Sequence, residues 1–306
     1  MLLQAGLLFV SIVGLYFGAE FALDSGERIG RRFGLSPLVI GLLIIGFGTS
    51  LPEFFVSHLA SFNGEYEIAI GNVIGSNVAN SYLVLGICAL ITPLTLGGKD
   101  LRKQIFVLIA VHLFLVLGLY FLGVTYSLAI GFTLIFIYYL YETLFKASEE
   151  EASSDHPEVH ITKIDYIKLF SGFLILYLSG ELLVNSGSEL GRLAGISPYV
   201  ISAIFVAFGT SFPELVTGVL SCVKKKETDL IVGNIIGSNI FNLALVLGSV
   251  SFYRFELKSH YLVEGIVLVV FTFLLLGLNL KKGRISKVLG FAFLATYLSM
   301  AYYWVR

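Results

Sequence analysis

The chain alternates long apolar runs with short polar breaks, a pattern that predicts a bundle of membrane-spanning helices. A helix needs about 20 mainly apolar residues to cross the hydrocarbon core of a bilayer. By that criterion the sequence predicts ten spans, at residues 3–26, 36–62, 67–93, 104–123, 126–145, 164–190, 197–222, 228–252, 260–280 and 285–304. The predicted fold class is therefore an all-α polytopic membrane protein.

Composition agrees with this prediction. Of the 306 residues, 57% are hydrophobic and 13% are charged, whereas about a quarter of a soluble domain is charged. The first apolar run, MLLQAGLLFV, has no Lys or Arg before it, so we expect a retained membrane helix rather than a cleaved signal peptide. Cys88 and Cys222 lie in or beside apolar runs, and we expect small buried hydrophobic residues rather than a disulfide.

The basic residues predict an orientation. The 20 Lys and Arg residues fall in or beside the odd-numbered loops, except Arg192, Arg254, Lys258 and Arg306. Cytoplasmic loops carry the excess of Lys and Arg. Both termini are therefore expected on the extracytoplasmic side, with the protein in the plasma (inner) membrane.

The chain contains an internal repeat. GTSLPE, ending at Glu53, recurs as GTSFPE, ending at Glu214, and GNVIGSNVAN from Gly71 recurs as GNIIGSNIFN from Gly233. Five predicted spans separate equivalent positions, and an odd number inverts the second half relative to the first. We predict a first five-helix repeat at 1–146 (motif 46–80), a cytoplasmic linker at 147–162 and a second repeat at 163–306 (motif 207–242). Inverted repeats are typical of alternating-access transporters with a site near the midplane.

The repeated motifs carry oxygen ligands. Residues three and four apart share a helix face, so Thr49, Ser50 and Glu53 form one polar patch within an apolar span. The equivalent patch in the second half consists of Thr210, Ser211 and Glu214. The next span of each half adds a polar pair on one face, Ser76 with Asn80 and Ser238 with Asn242. An ionisable residue at membrane depth indicates a functional site, and hard oxygen ligands favour Na⁺ and Ca²⁺ over soft transition metals.

Irregular backbone is also expected beside these patches. Neighbouring glycines and the prolines at 52 and 213 favour unwinding near Gly46 and Ala207. Carbonyl groups freed in this way are candidate ligands.

The paired GTSxPE and GNxIGSN blocks resemble the two alpha repeats of sodium/calcium exchangers, of the prokaryotic type without a regulatory domain. The resemblance spans nearly the whole chain. It implies ten helices, inverted halves, outside termini, and sliding of the first and sixth spans against the rest. The cation ligands it implies are Thr49, Ser50, Glu53, Ser76, Asn80, Thr210, Ser211, Glu214, Ser238 and Asn242.

One position departs from the family pattern. Many sodium/calcium exchangers have an aspartate where this chain has Asn242. The two glutamates give the site at most two negative charges, so three Na⁺ leave it positive whereas one Ca²⁺ balances it. The family's three-to-one stoichiometry is therefore an expectation, which the charge moved per Ca²⁺ in proteoliposomes decides.

The leading function is Na⁺/Ca²⁺ antiport by alternating access. Proton/Ca²⁺ exchange and potassium-dependent exchange are the alternatives among transporters, and a cation channel is a further class. The sequence has no HExxH motif and no nucleophile beside a histidine, so we do not expect an enzyme. We expect no cofactor, no nucleotide and no nucleic-acid partner, and a monomer in the lipid bilayer.

Some acidic residues fall outside the motifs. Glu20 and Glu181 match across the repeat, and we expect them to have a structural or access-path role. Glu142 and Glu264 lie near or within predicted spans without convincing repeat partners, and the sequence assigns them no role.

Overall fold

A computed structural model describes residues 2–146, 160–195, 210–255 and 261–304, and these residues form a helical bundle. The helices are α1 (Leu2–Arg32), α2 (Pro37–Phe62), α3 (Tyr66–Ile91), α4 (Lys99–Phe121), α5 (Tyr126–Leu144), α6 (Lys163–Leu193), α7 (Phe212–Val223), α8 (Thr228–Tyr253), α9 (Leu262–Leu280) and α10 (Lys287–Trp304). Two short strands, β1 (Leu94–Thr95) and β2 (Arg284–Ile285), pair antiparallel. The expected all-α membrane fold is confirmed.

Eight of the described helices are long and apolar enough to cross a membrane. They are α1 to α6, α8 and α9. The described part of the predicted seventh span consists of Thr210, Ser211 and the 12-residue helix α7. Residues 197–209 of that span lie outside the described residues, as does most of the linker at 147–162. The count of ten spans stays a prediction.

Two helices extend further into polar sequence than predicted. The first helix continues to Arg32 rather than ending near residue 26, so Arg28 and Arg31 lie on its last turns instead of in a loop. The polar extension is held by ion pairs, since Arg31 contacts Glu27 one turn earlier at 3.0 Å. Similarly, α4 begins at Lys99, about five residues before the predicted start.

Several helices change their winding near the repeated motifs. The segment Ile40–Ile45 of α2 is π-helical, and so are Ala79–Val84 of α3 and Phe241–Leu247 of α8. Such segments occur often at functional sites because the wider turn re-aims the side chains. Two of these three segments contain a predicted ligand, Asn80 or Asn242.

The first part of α2 lies directly against α8. A Cβ atom on Gly41 would come within 2.3 Å of the Leu230 carbonyl oxygen, and one on Gly237 within 2.3 Å of the Leu42 carbonyl oxygen. Small residues permit this backbone-to-backbone approach in membrane bundles. This contact joins the first half of the chain to the second.

Helices α1 and α6 form a pair at the side of the bundle. They cross at Gly18 and Gly172, where an added Cβ would come within 2.9 Å of the Leu176 nitrogen and 2.7 Å of the Ala22 nitrogen, respectively. Several of their buried residues belong to a small apolar cluster that also includes residues of α2, α7 and α8. Helices α1 and α6 nevertheless contact each other more extensively than either contacts another described helix.

The two cysteines are free thiols in the bundle interior. The Cys222 thiol donates to the carbonyl of Cys88 at 3.7 Å, and both residues are buried. The expectation that they are hydrophobic core residues is confirmed.

Candidate cation site

Two fully buried carboxylates occupy equivalent positions in the two halves. The chain leaves helical geometry at Ser50 (φ −85°, ψ 2°) and at Ser211 (φ −84°, ψ 5°), and a new helical segment then begins. Pro is the second residue of each segment and Glu53 or Glu214 is the third. Proline is tolerated in the first turn because the N–H groups of that turn have no intrahelical acceptor to lose. The helix dipole favours a carboxylate in the same turn.

Hydroxyl groups from opposite halves meet beside these carboxylates. The Thr49 hydroxyl lies 3.3 Å from that of Ser238, and the Ser76 hydroxyl lies 3.0 Å from that of Thr210. Each pair joins the first motif of one half to the second motif of the other. The site is therefore built across the repeat, and neither half forms it alone.

The carboxylates belong to the same cross-half arrangement. Ser50 donates from its hydroxyl to one oxygen of Glu214 at 3.5 Å. Thr49 and Ser238 lie beside the Glu214 carboxylate, whereas Ser76 and Thr210 lie beside that of Glu53. The two acidic groups also interact electrostatically with each other.

Asn72 holds the hydroxyls around Glu53. Its carbonyl oxygen accepts from Thr210 at 2.9 Å, and its amide nitrogen donates to Ser57 at 3.0 Å and to the main-chain carbonyl of Glu53 at 3.4 Å. The side chain of Asn72, on α3, thereby links α2 to Thr210 of the GTSFPE segment in the second half.

Asn234 does the same around Glu214. Its carbonyl oxygen accepts from Thr49 at 3.5 Å, and its amide nitrogen donates to Thr217 at 3.1 Å. These two asparagines were not among the predicted ligands. Ser57 and Thr217, their anchors, lie about one helical turn after each glutamate, a spacing in the sequence that could have identified them.

The centre of the site contains buried polar atoms that the described residues do not satisfy. Both carboxylate oxygens of Glu53, one of Glu214, and both side-chain polar atoms of Asn80 and Asn242 find no hydrogen-bond partner among the described residues. The buried hydroxyl of Ser211 also has no hydrogen-bond partner among the described residues. Most buried polar atoms in folded proteins are hydrogen-bonded, so a group of exceptions requires an explanation such as a bound ion.

The amides reach this centre through the π-helical segments. The segment that contains Asn242 packs against the helix of Glu53, and the segment that contains Asn80 packs against the helix of Glu214. Each glutamate helix therefore packs against the segment that carries the asparagine of the opposite half. Carboxylate, amide and hydroxyl oxygens together form the kind of ligand set that hard cations prefer.

The prediction that the helix unwinds near Gly46 is wrong about the position of the interruption. Gly46–Thr49 is helical, and the Gly46 carbonyl accepts from the Ser238 hydroxyl at 3.2 Å and from the Ser50 nitrogen at 3.2 Å. The glycine is needed for close packing, since an added Cβ would lie 2.9 Å from the Ser238 nitrogen. The interruption falls at Ser50 instead, and Ala207 lies outside the described residues.

A transition-metal site of the usual kind is not present in the described part of the chain. No cluster of three or more His, Cys, Asp or Glu side chains occurs there. The centre has two carboxylates with neutral oxygens around them, which is poor for soft metals and suitable for Na⁺ or Ca²⁺.

A polytopic helical bundle with a buried pair of carboxylates assembled across an internal repeat defines a secondary transporter of inorganic cations. The profile of the family described as "Sodium/calcium exchanger protein" matches residues 3–146 and 166–305. The chain belongs to the sodium/calcium exchanger family, as the motif resemblance predicted. At the level of the family, the predicted Na⁺/Ca²⁺ antiport is confirmed as well.

Individual relatives cover most of the chain. An uncharacterised membrane protein of Methanocaldococcus jannaschii is 34% identical over 304 residues, which cover 97% of both chains. The sodium/calcium exchanger MaX1 of Methanosarcina acetivorans is 28% identical over 285 residues, covering 79% of this chain and 81% of MaX1. The solved structure of the sodium-calcium exchanger NCX_Mj, soaked with zero Na⁺ and Ca²⁺, superposes with a TM-score of 0.84 at 32% identity, covering 97% of this chain and 98% of NCX_Mj.

Proposed function

We propose that Na⁺/Ca²⁺ antiport in this protein takes place at one midplane site built on Glu53 and Glu214. The observation that carries the proposal is the set of unsatisfied oxygens around two fully buried carboxylates. The ligands are the ten motif residues named from the sequence, of which Glu53 and Glu214 supply the charge. The Gly46 carbonyl belongs to the supporting frame in this conformation.

The buried charge explains why transport is coupled. Two carboxylates in an apolar interior are costly unless a cation neutralises them. One Ca²⁺ or two Na⁺ balances a charge of −2, so either load makes the filled site compatible with the membrane interior. A transporter whose site changes access only when it is filled exchanges one ion for the other. Neither ion then leaks across the membrane alone.

The packing of the two halves supports alternating access. Gly233 and Gly237 of α8 are covered by the backbone of α2, whereas their repeat equivalents Gly71 and Gly75 of α3 line a cavity of about 500 Å³. The cavity reaches Ser76 and Thr210. Among the described residues, one side of the site is thus approached by a cavity while the equivalent surface in the other half is covered.

The remaining architecture follows from the sequence. We propose ten spans in two inverted five-helix halves, with both termini outside and the protein in the plasma (inner) membrane as a monomer. We also propose that the protein needs no cofactor and is not an enzyme, because the charged centre offers cation ligands and the sequence has no nucleophile beside a histidine. The pair formed by α1 and α6 slides against the other helices, which agrees with the close packing of these two helices on each other at Gly18 and Gly172.

Reconstituted protein tests this proposal directly. Vesicles loaded with Na⁺ and diluted into Na⁺-free buffer should take up ⁴⁵Ca²⁺, and Glu53→Gln and Glu214→Gln should each lower uptake by at least about tenfold, since each removes a charged ligand. Glu142→Gln is the matched control, because Glu142 is a carboxylate of similar burial (5% exposed) on α5, outside the site. Uptake that persists in both site variants would overturn the assignment.

The same assay separates the alternatives. Uptake driven equally well by a proton gradient, with Na⁺ absent, would place the protein among proton/Ca²⁺ exchangers. A requirement for K⁺ would indicate potassium-dependent exchange. Ca²⁺ flux without any counter-ion would indicate a channel.

A further inference from the structure

A buried carboxylate outside the repeated motifs lies in the cavity that leads to the cation site. Glu264 is 5% exposed and lies in the first turn of α9. One of its oxygens accepts a hydrogen bond from the indole N–H of Trp304, at the end of α10, at 2.8 Å. The other oxygen has no partner among the described residues. The indole bond fixes the carboxylate and leaves its other, buried oxygen unsatisfied.

The cavity connects Glu264 to the central site along one face of α3. Its lining on that helix includes Ile68, Gly71, Gly75 and Ser76, and residues with these spacings share a face. Eight residues separate the first from the last, which is about 12 Å at 1.5 Å per residue. Glu264 lines the same cavity, so an ion inside it can pass from this carboxylate to the Ser76 and Thr210 hydroxyls.

The wall beside Glu264 is mainly apolar and includes the hydroxyl of Tyr261. Tyr261, one turn before Glu264, donates from its hydroxyl to the Glu67 carboxylate at 3.1 Å. An added Cβ on Gly71 would lie 3.6 Å from that hydroxyl, and one on Gly75 would meet no described atom within 4 Å. The absence of side chains at these two glycines leaves this face of α3 open to the cavity.

We propose that Glu264 forms a second cation-binding position, which receives Na⁺ or Ca²⁺ in the cavity before the ion reaches the Glu53–Glu214 site. The proposal rests on the function proposed above. A fixed negative charge between apolar walls raises the local cation concentration and the rate of association. One available carboxylate oxygen with water holds an ion weakly, which an entry position needs in order to release it.

Direct binding can be measured because the chain has one tryptophan, Trp304, and it contacts Glu264. We would titrate purified Glu53→Gln/Glu214→Gln protein with Tb³⁺, a luminescent substitute for Ca²⁺, exciting at the red edge where tyrosine does not absorb. Tryptophan-sensitised Tb³⁺ luminescence should develop, should be lost in Glu264→Gln, and should be competed by Ca²⁺. Retention of the signal in Glu264→Gln, or no signal in the parent protein, would overturn the proposal.

Transport gives an independent measurement in the otherwise native chain. Glu264→Gln keeps an oxygen that can accept from Trp304 and removes the charge, so kcat/KM for Ca²⁺ should fall by about tenfold with kcat unchanged. The loss should shrink at high ionic strength, since salt screens the attraction. Glu264→Asp, which keeps the charge, should restore part of the rate.

Controls distinguish this position from a structural role and from failure of the central site. Trp304→Phe removes the hydrogen bond to α10 and keeps the charge of Glu264. A fall in kcat/KM as large as that of Glu264→Gln would show that transport needs the contact with α10 rather than the charge, which would overturn the proposal. Glu142→Gln should leave kcat/KM unchanged. A Tb³⁺ signal that depends on Glu264 in a protein without Na⁺-driven uptake would refute the proposed exchange and leave the second position standing.

Discussion

At the scale of single residues, the amide of Asn242 limits the negative charge that the site offers to a cation. Both polar atoms of this side chain are buried without a partner among the described residues, in a π-helical segment that packs against the helix of Glu53. An aspartate has nearly the same shape and adds a charge. The Ca²⁺ affinity of oxygen-ligand sites rises with the number of charged ligands.

Asn242→Asp should therefore lower the KM for Ca²⁺ in Na⁺-driven uptake by roughly tenfold, with slower release at saturating Ca²⁺. Asn80→Asp, the repeat equivalent, should act in the same direction. Asn63→Asp adds the same charge at an exposed position between α2 and α3 and should leave the KM unchanged. An unchanged KM in Asn242→Asp would show that this amide does not face the bound ion.

The motif residues were predictable from sequence because buried oxygen ligands are rare in apolar spans and their repetition is conspicuous. The pairing of Thr49 with Ser238 was not predictable, since it depends on how the two halves pack against each other. Glu264 has no repeat partner, and Trp304, its hydrogen-bond donor, is 40 residues away in sequence. The sequence therefore located the polar residues that lie around the two glutamates and assigned no role to the carboxylate in the neighbouring cavity.

At the scale of helices, a row of acidic residues on α1 is joined to the loop after α7. Lys224 contacts Glu20 at 2.9 Å and Asp24 at 3.2 Å, and Lys226 contacts Glu27 at 2.7 Å and Asp24 at 3.2 Å. The acidic residues are spaced by four and three along α1, so they form one face. The equivalent loop of the first half, FNGEYE, has no Lys or Arg. The contacts thus hold the α1–α6 pair to the bundle through one half only.

Because these ion pairs cross between elements that slide past each other in the proposed cycle, they should stabilise the described conformation. Exposed pairs contribute about 0.2–1 kcal/mol each, so Lys224→Ala/Lys226→Ala should shift the equilibrium by about fivefold away from the state with the open cavity. The measurement is the labelling rate of Val56→Cys, a cavity residue, by an impermeant maleimide in a Cys88→Ala/Cys222→Ala background. The rate should fall at low salt.

Lys103→Ala is the matched control for this prediction. Its pair with Asp100, at 2.8 Å, lies within α4 and joins no two helices. In the Lys103→Ala variant, the labelling rate of Val56→Cys should equal that of the parent. A double loop variant that labels as fast as the parent at low salt would show that the ion pairs do not favour this state.

Helix boundaries show what periodicity can and cannot predict. Apart from the polar ends of α1 and α4, the eight spans that the structure describes as long enough to cross a membrane were located within a few residues, since their apolar length is set by the bilayer. The sequence placed Arg28 in a loop, yet it lies on α1 and contacts Asp165 of α6 at 3.2 Å. Apolar length alone does not detect helical turns held by ion pairs between two elements.

At the scale of the whole molecule, the two halves share a sequence pattern and differ in packing. Gly237 of α8 lies against the Leu42 carbonyl of α2, whereas its equivalent Gly75 faces the cavity. If the opposite access state exchanges the arrangements of the two halves, Gly75 becomes the covered glycine and Gly237 the open one. A single methyl group at either position then distinguishes the two states.

Gly237→Ala should disfavour the described state, because its Cβ would lie 2.3 Å from a carbonyl oxygen and overpacking costs about 1–3 kcal/mol. Gly75→Ala meets no described atom here and should disfavour the opposite state. Both variants should slow Na⁺-driven Ca²⁺ uptake. The Val56→Cys label should react at least about fivefold more slowly in Gly237→Ala, and at least as fast as the parent in Gly75→Ala.

Gly277→Ala, which also meets no described atom within 4 Å, is the control for the added methyl group and should change neither rate. Slower labelling in both Gly75→Ala and Gly237→Ala would mean that the two glycines do not exchange roles. The halves would then move by a different route.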